Sequence, residues 1–92
     1  MRVVLISYDL IGRDETSDDY KRLIEKIKSY GGWAKIHYSF WALQTSLSTK
    51  QLRDELAAYV DKNDRLIVIE AGRNAAWRNL ANDVSDWLKN SL

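Results

Sequence analysis

An α+β sandwich, four antiparallel strands covered on one face by two helices with a third helix appended, is the fold class that three features of this sequence predict. Two unalternated apolar runs, Val3-Val4-Leu5-Ile6 and Leu66-Ile67-Val68-Ile69, read as interior strands. Between them lie two stretches with the apolar period of amphipathic helices. Between those helices, a segment dense in β-formers is too long for one ordinary strand.

The first strand runs from Arg2 to Tyr8 and stops at Asp9. A polar stretch from Gly12 to Ser17 leads into Tyr20, Leu23, Ile24 and Ile27, spaced i, i+3, i+4, i+7 as one helix face requires. Thr16 or Ser17 can cap that helix, Asp18 and Asp19 suit the positive end of its dipole, and Gly31-Gly32 supplies the left-handed residue that ends it. Trp33 to Thr45 predicts two strands reversing near Tyr38-Ser39. Ser48 and Gln51 then form a capping box, with a hydrophobic staple between Leu47 and Leu52. Leu52, Leu56, Tyr59 and Val60 make the second helical stripe, Asp61-Lys62-Asn63-Asp64 ends it, and the fourth strand follows. Beyond Gly72, the spacing of Leu80, Val84, Trp87 and Leu88 predicts a third helix capped by Asn82.

The order βαββαβ closes most economically as a ferredoxin-like sandwich with strand order 4-1-3-2 and both main helices on one face. Residues 1–72 form this core, and 73–92 are a helical extension of the same domain. The first strand is antiparallel to both neighbours, so Asp9 lies beside the start of strand three at Ser39 and Phe40 and the start of strand four near Asp64. Four Trp, five Tyr and one Phe are more than one helical layer hides, so the other sheet face meets a second subunit or the C-terminal helix.

Composition narrows the chemistry. The chain has no cysteine and one histidine, His37, which excludes disulfides, thiolate sites, a Cys nucleophile and a multi-histidine zinc site within one chain. Fourteen basic against thirteen acidic residues leave a formal +1, so nucleic-acid binding has to come from local clustering or from doubled patches in an oligomer. The apolar runs are far short of the roughly 20 residues of a membrane span, and no signal-peptide n-region precedes Val3. The expectation is a soluble cytoplasmic protein with no membrane partner.

Asp9 closes an apolar strand and opens a loop, where scaffold-held functional residues often sit. As a ligand of Mg²⁺ or Mn²⁺ it offers a hard oxygen to a hard cation, and a twofold axis near the strand end would bring in a second copy. The alternative is a turn residue bonded to its own backbone. Asp14, Glu15, Asp18 and Asp19 either complete a metal site or serve as helix N-terminal acids. His37 is a general base if it faces Asp9, and otherwise a half-buried polar residue. Lys21, Arg22, Lys26 and Lys28, with Arg13 and Lys35 nearby, form a solvated face that a dimer would double into a track for a phosphate backbone. Tyr38, Phe40 and Trp41 either stack on bases or pack in the core.

The strand ending Tyr8-Asp9, the helix and glycine after it, Ile36-His37-Tyr38-Ser39-Phe40-Trp41, and the second helix and fourth strand together resemble the CRISPR-associated Cas-two family over about residues 2–71. The resemblance implies a ferredoxin-like homodimer, either a metal-dependent nuclease on RNA or duplex DNA or a non-catalytic bridge to nucleic acid and a protein partner. It maps the family's metal-associated aspartate onto Asp9 and its strand-three serine onto Ser39, as catalytic residues. Arg13, Lys21 and Arg22 are the residues read as phosphate contacts. Ala75-Ala76-Trp77-Arg78 and Ser85-Asp86-Trp87-Leu88-Lys89 depart from that pattern and look more like stand-alone, SinR-like relatives. VapD-type toxin ribonucleases share the expected fold and strand end.

Overall fold

A computed structural model describes residues 1–92. Its elements are β1 (Arg2–Asp9), α1 (Asp18–Ser29), β2 (Trp33–His37), β3 (Phe40–Thr45), α2 (Thr49–Ala57), β4 (Arg65–Glu70) and α3 (Asn82–Ser91). The sheet order is β2-β3-β1-β4, with β1 antiparallel to both β3 and β4. Read from the other edge this is 4-1-3-2, the ferredoxin-like arrangement predicted.

Local chemistry sets the boundaries. Ser17 accepts from the Tyr20 N–H and starts α1, and Gly31 and Gly32 at φ +71° and +55° turn the chain out of it. At α2 the Ser48 hydroxyl accepts from the Gln51 N–H at 3.1 Å while the Gln51 side chain accepts from the Ser48 N–H at 2.9 Å, completing the capping box. The reversal between β2 and β3 needs Ser39 in the left-handed region, at φ +58°.

Alternation along β1 divides the molecule into two cores. Val4, Ile6 and Tyr8 point toward α1 and α2, where they meet Leu23, Ile27, Leu52 and Leu56 together with Trp41 and Leu43 of β3. Trp41 Nε1 donates to Tyr8 Oη at 2.9 Å, which satisfies the indole of a residue only 1% exposed. Val3 and Leu5 point the other way. There α3 buries Val84 and Leu88 against Val3 and Ala42, with Ile36, Trp77, Leu80 and Trp87 packed around them.

Of the two occupants expected for that second face, the C-terminal helix is the one found. Two details differ from expectation. Asn82 is the first helical residue instead of the cap; Ala81 precedes it and offers no side-chain acceptor, so Leu80 stands outside the helix. The second helix stops at Ala57, where Tyr59 and Val60 donate to the carbonyls three residues back. That tighter winding takes Tyr59 off the helical stripe and leaves it exposed.

The α3 layer stops short of β4. Leu5 is opposite Ile69 and Ser7 is opposite Ile67, so both isoleucines share α3's face of the sheet, yet they are 50% and 53% exposed. The uncovered strip leads directly to Asp9. No helix is long and apolar enough to cross a membrane.

Candidate functional site at the end of β1

Asp9 is the last residue of β1 and points to the α3 face, beyond the part that α3 covers. Its carboxylate is 57% exposed, and Arg65, its register partner on β4, brings Nη1 to 3.7 Å from Oδ2. Ser7, Arg65 and Ile67 share a shallow open groove with it. On the other side the Tyr8 N–H donates to the Ser39 carbonyl at 3.2 Å, so the hairpin tip abuts the end of β1. The Ser39 hydroxyl is buried there with no hydrogen-bond partner. Asp9 and Ser39 are thus gathered at one end of the sheet, as expected from strand order.

His37 is not brought to Asp9. It lies on β2, two strands away across β3 and hence about 10 Å off, and its Nδ1 sits 3.2 Å from the Tyr38 carbonyl. The ring packs against Phe40 at 5.0 Å between centroids. Tyr38 Oη accepts from the Glu15 N–H at 3.1 Å, which ties the loop after β1 to the hairpin tip.

Arg13, read from sequence as a phosphate contact, is held by three carboxylates. Its Nη1 lies 2.7 Å from Asp61 and 3.1 Å from Asp19, and its Nη2 contacts Asp64. The Asp64 side chain is only 1% exposed and also accepts from the N–H groups of Ile11 and Asp61. Burial by itself would push this carboxyl up, but the two N–H donors and the Arg13 guanidinium outweigh it and hold it below the usual carboxylate range. The cluster clasps the β1–α1 loop to the start of β4. Sequence reasoning missed it because Asp61 and Asp64 lie 48 and 51 residues from Arg13 and read as helix terminators.

The remaining acids and bases are mostly engaged locally. Asp14 accepts from the hydroxyl and then the N–H of Thr16, which holds it below the usual carboxylate range, and Glu15 pairs with Lys35 at 3.5 Å. Asp19 also pairs with Arg22, Lys26 reaches Glu55 at 3.8 Å, and Lys28 lies over the Trp33 ring. Lys21 is exposed and forms no ion pair. No group of three or more His, Cys, Asp or Glu side chains is placed to hold a metal ion. A chain by itself therefore offers a divalent ion one carboxylate at this end, with Arg65 competing for it. Arg65 is the site residue that sequence reasoning overlooked; its signal was the register, which sets it opposite Asp9 where only Asp64 had been expected.

Fold and site together define a ferredoxin-like α+β protein with a single exposed carboxylate at the end of its first strand. No protein-family model matches the chain.

Proposed function

We propose that this protein is a Cas-two-like, homodimeric, nucleic-acid-associated protein in which the Asp9 carboxylates of two copies hold one Mg²⁺ or Mn²⁺ ion for phosphodiester hydrolysis. The observation that carries the reading is the exposure of Asp9 at the end of a strand paired on both sides, a rigid mount for an otherwise mobile acid. When bound, the ion would neutralise charge on a scissile phosphate and acidify a water. Ser39 flanks this end, and its unpartnered hydroxyl is available to a phosphate oxygen after a small movement of the tip. Lys21 is exposed and unpaired and can meet a backbone directly, whereas Arg22, exposed but paired with Asp19, does so by exchanging that partner. Arg13 reaches a phosphate only by leaving its carboxylates, so its part in the reading is to order the loop.

A second reading, a nucleic-acid-binding or protein-binding dimer without catalysis, is favoured by the Asp9–Arg65 pair, since a paired carboxylate is a weaker metal ligand. Incubating the purified protein with RNA and with duplex DNA, with and without Mg²⁺, separates the two. Metal-dependent cleavage that disappears in Asp9→Ala supports hydrolysis. Salt-sensitive binding without cleavage supports the scaffold. A protein that stays monomeric at the assay concentration removes the shared-ion site.

A further inference from the structure

Residues 71–81 cross the α3 face of the sheet without regular secondary structure. Trp77 Nε1 donates to Ser85 Oγ at 3.0 Å and ties this strap to α3. Beneath the strap lies a cavity of about 160 Å³ bounded by Leu5, Ile36 and Phe40 of the sheet, by Ala76, Trp77 and Leu80, and by the end of α3; all ten of its lining residues are apolar. A water molecule needs two to four polar partners to settle in such a space, and no side chain lining it has a free polar group. Left empty, the walls forfeit dispersion contacts on one side. An enclosed, engineered cavity of about 150 Å³ lined by Leu, Ile and Phe stays dry and takes up benzene, and the present space, half-open to solvent, is of similar size. The exposed Ala75 and Ala76 border the cavity where it opens to solvent.

We propose that the space between the strap and the sheet is a binding site for a small, uncharged, apolar molecule of single-ring size. Its lining side chains carry no charge, and the one polar group among them, the Trp77 indole N–H, is already donated to Ser85. Occupancy stabilises the docking of α3, because the ligand touches sheet, strap and helix together. The proposal is independent of the hydrolytic reading, since Asp9 does not line the cavity.

The test uses the full chain, isotope-labelled, titrated with benzene and followed by NMR. Saturable shifts of the Trp77 indole N–H and of the amides of residues 75–80 are expected, together with NOEs from benzene to the methyl groups of Leu5 and Ile36 and a melting temperature that rises with benzene concentration. Shifts that never saturate, or NOEs confined to other sites, overturn the proposal. Ala76→Leu and Ile36→Phe fill the cavity from opposite walls, and each is expected to weaken benzene binding by about tenfold or more. Undiminished binding in either folded variant also overturns it, and should neither fold, the NOEs of the unaltered protein decide.

Discussion

On the α1/α2 face of the sheet eleven residues are buried in one cluster, whereas on the α3 face only four are. The first core is closed by two helices that each start on a serine side-chain cap, and it contains Trp41, the largest fully buried side chain. The second is closed by one helix without a side-chain cap and by an irregular strap, and it leaves Ile67 and Ile69 open. The difference separates two tasks. One face holds the fold together, and the other leaves room at its margin for Asp9 and under its strap for a cavity.

The largest effect is expected from removing the centre of the first core. Trp41→Ala should lose about 3–5 kcal/mol in urea unfolding, from lost burial and an orphaned Tyr8 hydroxyl. Leu88→Ala in the second core should cost about 2–3 kcal/mol, with a cavity that the less constrained strap can partly close. Equal losses at the two positions would break the contrast between the faces.

Next comes the clasp. Asp64→Ala leaves the Ile11 and Asp61 N–H groups and the Arg13 guanidinium without their buried acceptor, at a cost of about 2 kcal/mol. Because the folded Asp64 carboxyl lies below its unfolded value of about 3.9, the stability it contributes is complete above about pH 4 and is lost as pH falls through the lower folded value. Unfolding curves between pH 5 and pH 2 should therefore show an acid limb that is shallower in Asp64→Ala. A smaller change, about 1 kcal/mol, is expected from Ser48→Ala at the α2 cap. The smallest belongs to Asp9→Ala, within about 0.5 kcal/mol because both members of its ion pair are exposed. A larger loss there would make Asp9 part of the scaffold and weaken its functional reading.

Much of the first face was legible in the sequence because its signals are local. The Ser48–Gln51 box spans one helical turn, Ser17 stands three residues before the N–H it caps, and the apolar runs mark β1 and β4 directly. The position of Asp9 at the strand end followed from the apolar run it closes, and its nearness to Ser39 from strand order. What stayed hidden depends on long-range pairing. Two of the three carboxylate partners of Arg13, Asp61 and Asp64, come from the loop between α2 and β4, and Arg65 meets Asp9 only through the β1–β4 register. On the second face, Asn82 resembled a cap because its side chain suits one, but the helix begins at Asn82 itself, so the residue is already helical. The strap has no period at all, and its cavity exists only once Leu5, Ile36 and Phe40 are assembled beneath it.

The hydrogen bond between Trp41 and Tyr8 also reaches into alkaline solution. Burial pushes the Tyr8 phenol up to about 12, although the indole donor favours the phenolate. A neutral form favoured by folding keeps its full contribution below about pH 10 and surrenders it as pH climbs toward 12. Phenolate absorbance should therefore lag for this ring during a base titration, and its arrival should coincide with loss of the folded state, so that a single buried hydroxyl reports when the interior gives way.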